Sequence, residues 1–355
     1  MAEKESTTQR AQQPNPKSGN PYKKFAGEFR RTTDKLKNEA QKVTDKLYEL
    51  FDNPIIRYSV IAVILAIAIY LPQIGNMHTQ TVMTTAFMFI VICLGLNIIV
   101  GFAGLLTLGY AAFFAIGAYT TGILIIHFDM NFWLTLPFSA LAAVFAGLLI
   151  GVPTLRLRSD YLAIVTLGFG EIVRLTVRNL EITGGAVGLV GIERPAFFGI
   201  TLNQVTHFYY MFLVVAVIAI IVSYRLYNSR LGRSWKYIRE DEDAAAAMGI
   251  NVVAARLSAF IIGSVFGAIA GSFMAVRMTA VAPESFVFMQ SVMFLMAVII
   301  GGMGKIPGVV LGALIVVILP ELIRGLAEYR ILIFAIFLLF IMLYRPQGIW
   351  PERRT

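Results

Sequence analysis

The chain has 355 residues, of which 57% are hydrophobic and 14% are charged, whereas soluble domains carry about 25% charged residues. The charges crowd into residues 1–57, a patch near 225–256 and short loops. The apolar runs of about 18 to 25 residues between them match a hydrocarbon core of about 30 Å crossed at about 1.5 Å per residue. Because these runs are apolar all round rather than amphipathic, they exclude a soluble globular fold and predict an all-α integral membrane protein.

The net charge of +9 would by itself also suit a nucleic-acid binder. In a chain with many spans, however, Lys and Arg concentrate in short cytoplasmic loops, and the basic residues here follow that distribution. We therefore expect the lipid bilayer as a partner and no nucleic acid.

The first 56 residues are polar and highly charged. Residues 1–22 are rich in Gln, Thr, Pro and Asn, a composition typical of a disordered cytoplasmic tail. Residues 23–56 are expected to form an amphipathic juxtamembrane helix, because apolar residues keep helical spacing among charged ones. Such a helix either binds the membrane interface or a partner, or is only solvated, and the sequence leaves these alternatives open.

Ten apolar segments make up the expected transmembrane domain, residues 57–350. Their expected limits are Arg57–Ile74, Val82–Val100, Leu105–Ile126, Trp133–Val152, Tyr161–Val177, Phe208–Tyr227, Leu257–Met278, Val287–Gly301, Val309–Ile323 and Ile331–Tyr344. With the basic N-terminal tail inside, the basic loops at 156–158 and 225–256 and the tail 351–355 also fall inside. We therefore expect about ten transmembrane helices with both termini cytoplasmic.

Glycine recurs at every fourth position of the seventh expected span, at Gly263, Gly267 and Gly271. Stripes of small residues allow a neighbouring helix to approach closely. We expect this stripe to serve helix packing rather than a functional role.

The loop between the sixth and seventh spans, residues 229–251, contains a strong helix signal. Glu240 to Asp243 provide an acidic start, four alanines follow, and Gly249 ends the run. The pattern predicts a short cytoplasmic helix with basic residues before it. On these residues alone, it is either an ordinary linker helix or a surface built for a partner.

A resemblance decides between these alternatives. Asp243-Ala244-Ala245 followed by Gly249 resembles the Glu-Ala-Ala-x-x-x-Gly loop of ABC importer permeases, with Asp in place of Glu. The wider sequence resembles one subfamily, the M-type permease of branched-chain amino-acid uptake systems. The stretches that carry this likeness are residues 94–109 with 117–119, 155–174, 229–251, and 301–308 with 344–350.

The resemblance implies the permease subunit of an ATP-driven importer that translocates branched-chain amino acids (Leu, Ile, Val) or a related small polar solute across the cell inner membrane. It implies three kinds of partner: a second homologous permease, two cytoplasmic ATPase subunits and an extracytoplasmic substrate-binding protein. In that family the loop is the coupling helix that docks in a cleft of the ATPase. The residues to which this role carries over are Arg239, Glu240, Asp241, Glu242, Asp243, Ala244, Ala245 and Gly249.

The chain itself is not expected to be an enzyme or to hold a cofactor. Gly304-Lys305 is followed by Ile306, so the Ser or Thr that ends an ATP-binding P-loop is missing. His78, His127 and His207 are isolated in sequence and lack metal-ligand spacing, and no metal site or catalytic residue is expected.

Three departures from the family pattern leave the substrate open. Tyr110 stands where the family usually has His, Ala186-Val187 replace a frequent Pro-Asn, and Lys305 occupies a position that is more often Ser. A permease for urea or short-chain amides, which are near relatives, is therefore an alternative. A secondary transporter is less favoured, because it needs ion-coupling carboxylates near the midplane and only Glu171 and Glu321 are available.

Polar residues within the expected spans are candidates for the substrate pathway. Glu171 and Arg174 share a helix face, and an ionisable residue inside a span costs about 2.5–3.5 kcal/mol on insertion scales. They belong either to a pathway or gate, or to a structural pair near the outer end of the fifth span. The remaining candidates lie beside glycine-broken backbone that can line a cavity, and each also suits a helix-packing hydrogen bond. They are Asn97, Thr107, Tyr110, Tyr119 and Thr166.

Overall fold

The computed structural model describes residues 54–154, 159–197 and 200–322, together with residues 336, 339, 348 and 349. The expected segment 1–22, nearly all of 23–56, nearly all of the tenth span and the tail 351–355 lie outside these residues and stay predictions. The helices of the described part are α1 Pro54–Ile74, α2 Met77–Asn97, α3 Ala111–Phe128, α4 Phe132–Thr154, α5 Ser159–Asn179, α6 Val205–Tyr227, α7 Arg230–Glu240, α8 Glu242–Ala247, α9 Val252–Met278, α10 Phe288–Gly301 and α11 Ile306–Leu322.

Short strands and tighter or wider turns complete the described part. β1 Leu189–Val190 pairs antiparallel with β4 Ala280–Val281, and β2 Ala196–Phe197 pairs with β3 Ile200–Thr201. A π-helical turn at Ile98–Phe102 extends α2, and a 3-10 turn at Pro283–Phe286 precedes α10. Since each strand has only two residues, the all-α expectation is confirmed.

Several helices are long and apolar enough to cross a membrane. In the described part these are Met77–Phe102, Ala111–Phe128, Phe132–Pro153, Val205–Tyr227 and Val252–Met278. Shorter apolar helices are found at Leu65–Ile74, Phe288–Gly301 and Ile306–Leu322. The length and composition of these helices are those of a multi-pass membrane protein. The number of ten transmembrane helices and the side of the membrane on which each terminus lies stay predictions.

The expected third span, Leu105–Ile126, begins too early. Helix α3 starts only at Ala111, and residues 104–110 are not helical. Gly104 adopts the left-handed conformation with φ of 72°, and the π turn ends before it. Glycine suits this position because a residue with a Cβ adopts the left-handed conformation only at a cost in energy. Hydropathy cannot locate such a break, since Leu105, Leu106 and Leu108 are as apolar as the helix that follows.

The core is built around α2 and α9. Every residue from Ala86 to Ala103 is buried, so the second half of α2 and its π turn are covered on all sides. The glycine stripe of α9 packs as expected: Gly263 faces Ile99, while Gly267 and Gly271 face α3. Without side chains at these positions, the helix axes approach closely.

Candidate transport pathway and coupling surface

The break after α2 is the first candidate site. The π turn closes with the Ala103 amide donating to the Ile98 carbonyl at 3.2 Å. Asn97, one residue before this turn, is fully buried, and its Oδ1 accepts from the Gly304 amide at 2.8 Å. The asparagine thereby ties the end of α2 to the turn between α10 and α11. Wide helical turns of this kind occur frequently at functional sites.

The non-helical segment after this turn is held against α5. The Leu108 amide donates to Thr166 Oγ1 at 3.0 Å, and that hydroxyl donates to the Ala163 carbonyl at 2.9 Å. Gly109 lies so close to the Thr166 backbone that a Cβ there would overlap it. Thr166, a predicted pathway residue, is in the structure also an anchor that supplies the break with a hydrogen bond in place of a helical one.

Three buried polar atoms of the candidate set find no partner among the described residues. They are Asn97 Nδ2, the Thr107 hydroxyl and the Tyr119 hydroxyl. The Tyr119 ring lies 5.9 Å from that of Phe286, in the 3-10 turn. Because a buried polar atom normally has a hydrogen-bond partner, these three are the positions where water or a polar solute would find donors and acceptors.

Tyr110 has a different position from the other candidates. Its hydroxyl donates to the Gly263 carbonyl at 2.6 Å, and the side chain is fully buried. The contact joins the start of α3 to α9. The Tyr110 hydroxyl therefore makes a helix-packing hydrogen bond. This is the alternative that the sequence left open for each polar candidate.

Glu171 and Arg174 pair as predicted, and two further charges join them. The Arg174 guanidinium donates from Nε to both Glu171 oxygens, at 3.1 and 3.0 Å. Glu284 of the 3-10 turn lies 3.5 Å from Arg174 and 3.7 Å from Arg178. Sequence reasoning missed Glu284, because it is 110 positions from Arg174 and only the fold brings it to α5.

The other carboxylate considered for ion coupling, Glu321, lies near the end of α11. Its Oε1 is 2.9 Å from Nε2 of His78, which lies in the first turn of α2. His78 has no such partner near it in the sequence, and only the fold brings Glu321 to it. The pair joins two helix ends and so does not place a carboxylate in the middle of a span.

The short helix predicted in the loop between the sixth and seventh spans is present, but it begins later than the acidic run. Glu240 is the last residue of α7, and the chain is extended at Asp241, whose carboxylate accepts from the Ala244 amide at 2.9 Å. Helix α8 begins at Glu242 and ends at Ala247. Gly249 follows with φ of 83°, a common left-handed end of a helix. The single helix expected from Glu240 is thus two helices joined at a capping aspartate.

Helix α8 presents almost all of its surface to solvent. Ala245 is buried, whereas Asp243 and Ala244 are exposed and Met248, directly after the helix, is 72% exposed. Glu242 pairs with Arg256 of α9, which ties α8 to a membrane helix. A six-residue helix with one buried side chain contributes little to the core, so its exposed face is available for a partner.

The basic residues before α8 form α7, which the sequence analysis did not resolve as a separate helix. Trp235 anchors it: the side chain is fully buried, stacks 6.5 Å from Phe102, and donates from Nε1 to the Ala255 carbonyl at 2.9 Å. At the end of α7, Arg239 Nη1 donates to the Gly101 carbonyl at 2.5 Å. Helix α7 is therefore in direct contact with the break after α2.

Comparison with known proteins adds the decisive observation. Residues 79–344 match the family described as branched-chain amino acid transport system, permease component. The chain belongs to this family of permeases. It is 39% identical over 315 residues to the high-affinity branched-chain amino acid transport system permease protein LivM of Escherichia coli K12, which covers 82% of this chain and 74% of that protein.

More distant relatives carry related names. The probable branched-chain amino acid transport permease protein LivM of Methanocaldococcus jannaschii is 28% identical, over 58% of this chain and 64% of that protein. LivH, a high-affinity branched-chain amino acid transport system permease protein of Escherichia coli K12, is 29% identical over 45% of this chain and 51% of that protein. No solved structure matches this chain. The family match spans every candidate residue of the pathway and of the coupling surface.

Proposed function

We propose that this chain is the permease subunit of an ATP-driven importer for branched-chain amino acids in the cell inner membrane. The observation that carries the proposal is the family match over residues 79–344, which includes the helix break and α7 with α8. In the proposed assembly, a second homologous permease completes the path, two ATPases supply the energy and an extracytoplasmic protein delivers the solute. The chain itself carries out no chemical reaction.

We propose that α8 and the residues flanking it dock on the ATPase. Glu242 is held by Arg256 and Asp241 caps the helix, so these two acids serve the local fold. Glu240 and Asp243 are exposed, which leaves their carboxylates for an ion pair with a partner. The exposed Met248 adds an apolar contact, and a flexible thioether adapts readily to a partner surface.

We propose that the second permease faces α5. Within α5, Tyr161, Ile164 and Ile172 are each more than 60% exposed, while Glu171 and Arg174 share the same helix. Charges at membrane depth are rare against lipid and usually face protein or water. A homologous subunit over α5 would cover the apolar side chains. It would leave Glu171 and Arg174, here called the charged stripe of α5, beside a path between the two subunits.

A paired charge reversal tests the docking surface. The variant Glu240→Lys with Asp243→Lys is expected to lose copurification with the ATPases and uptake of labelled leucine in proteoliposomes. The matched control is Glu181→Lys with Glu193→Lys, two exposed acids in the loop between α5 and α6. Full uptake and normal ATPase recovery in the first variant would refute the docking assignment.

The substrate is tested by competition in the same proteoliposomes. Unlabelled leucine, isoleucine and valine are each expected to suppress uptake of labelled leucine, while urea and acetamide in equal excess are not. Suppression by urea alone, with direct uptake of labelled urea, would transfer the assignment to the amide permeases. Uptake of leucine that needs an ion gradient and no ATP would identify a secondary transporter instead.

A further inference from the structure

Three segments that are distant in sequence converge at Arg239. Its Nη1 donates to the Gly101 carbonyl at 2.5 Å, and a Cβ added to Gly104 would lie 2.9 Å from its Cγ, so its aliphatic stem lies over the break. A Cβ added to Gly304 would lie 2.7 Å from Nη1. The Gly304 amide in turn donates to Asn97 at 2.8 Å. One guanidinium therefore contacts the end of α2 and the turn between α10 and α11.

The Gly101 carbonyl lies at the end of a helix. The last carbonyls of a helix have no intrahelical donor, and a cation near that end is favoured by the helix dipole. Gly101 belongs to a π turn, whose hydrogen bonds differ from those of the regular helix before it. The contact with Arg239 thus gives this carbonyl a charged donor from another helix.

Arg239 is also close to the proposed ATPase-docking surface along the chain. It is two residues before Asp241, which caps α8, and α8 is tied to α9 by the pair between Glu242 and Arg256. Trp235 fixes the inner face of α7 against α9. Only Glu240 and Asp241 stand between Arg239 and the first residue of α8, so the backbone at Arg239 is directly continuous with α8.

We propose that Arg239 is a positioning residue that transmits movement of α7 and α8 to the helix break at residues 101–110. This inference rests on the proposed importer function and identifies the contact through which its coupling acts. When α8 moves with the ATPases, the guanidinium leaves or regains the Gly101 carbonyl, and the break changes its hydrogen bonding with it. The competing role is that of a helix cap, which would stabilise the fold without coupling.

The test compares Arg239→Ala with Arg233→Ala in the complete importer reconstituted with its second permease and ATPases. Arg233 lies on the same helix and is exposed. Its Nη1 donates to the Asn228 carbonyl at 3.1 Å, a contact within the same region of the chain. The readout is ATP hydrolysis per assembled complex, with and without the leucine-loaded binding protein, together with leucine uptake. Arg239→Lys keeps a cation but loses the planar guanidinium.

For Arg239→Ala we expect the stimulation ratio, which is hydrolysis per assembled complex with the loaded binding protein divided by hydrolysis without it, to fall at least about fivefold, the lower end of typical coupling between sites. Arg233→Ala should match the wild type, and Arg239→Lys should fall between them. If Arg239→Ala does not assemble, the stimulation ratio of Arg239→Lys decides the matter, and a wild-type ratio overturns the proposal.

Two further results would also overturn the role of Arg239. One is an unchanged stimulation ratio in Arg239→Ala. The other is a loss of assembly with an unchanged ratio in the complexes that remain, which is the behaviour of a stabilising cap. Failure of the wild-type complex itself to respond to the loaded binding protein would instead contradict the proposed function, so the two failures are distinguishable.

Discussion

The contact between α3 and α9 permits a graded prediction on helix packing. A Cβ at Gly271 would overlap the Phe114 carbonyl and lie 2.9 Å from the Ala118 amide nitrogen, both of which are backbone atoms. A Cβ at Gly267 would lie 3.1 Å from the Phe113 Cβ, a tight contact that a shift of a few tenths of an ångström would relieve. Gly168 of α5 has nothing within 4 Å of the corresponding position. Substitution by Ala therefore meets backbone, a side chain and open space in turn.

The magnitudes follow from two opposing effects. Ala in place of Gly favours a helix by about 0.8–1.0 kcal/mol, whereas forcing an atom into a packed interior costs about 1–3 kcal/mol. Because the Gly271 clash is with backbone, we take the upper value and expect Gly271→Ala to lose about 2 kcal/mol net. Gly168→Ala should gain about 1 kcal/mol. Gly267→Ala should lie between them.

The assay is thermal unfolding of the purified variants in one detergent. At about 2.1 cal/mol/K of unfolding entropy per residue, a chain of 355 residues shifts by roughly 1.3 °C per kcal/mol. Gly271→Ala should therefore melt roughly 4 °C below Gly168→Ala. The order Gly168, Gly267, Gly271 matters more than each value. Equal melting temperatures for the three variants would refute the inference that backbone contact at Gly271 sets the distance between α3 and α9.

Three further substitutions test separate contacts. Thr166→Val removes the acceptor of the Leu108 amide and should lower the free energy of unfolding by about 1–3 kcal/mol, seen as a lower melting temperature. Trp235→Phe removes the donor to two oxygens of α9, with a similar cost and a matching fall in ATPase recovery. Glu171→Gln should change the free energy of unfolding by less than about 1 kcal/mol, because Glu171 is 43% exposed in its pair with Arg174. The same substitution should lower leucine uptake if the charged stripe of α5 lines the path. Unchanged uptake would assign this pair a structural role.

Local patterns in the sequence were sufficient for several features. The pairing of Glu171 with Arg174 depends only on their spacing along one helix, and the structure shows it. The alanine run with Gly249 predicted a short helix, and α8 confirms it. The start at Glu240 was wrong because Glu240 still belongs to α7 and Asp241 is the N-cap of α8. Only the backbone geometry shows that one helix ends and the next begins at Asp241.

Contacts between distant residues were beyond the sequence. The bond from Arg239 to Gly101 joins positions 138 apart, and that from Gly304 to Asn97 joins positions 207 apart. No spacing rule connects such residues. The polar candidates Tyr110 and Thr166 also could not be separated from one another, since both are polar residues near glycines and differ only in what surrounds them.

By itself, the sequence determined that this is a helical membrane protein, because long apolar runs have few folded states other than helices in a bilayer. It also determined the family, because motifs spread along the chain survive in linear order. The tertiary structure decided how the break after α2 is satisfied: by Thr166, by Gly304 and by the guanidinium of Arg239. The physical reason is that the hydrogen bonds of a helix are local and can be predicted from neighbours, whereas an interrupted helix must take its partners from wherever the fold brings them.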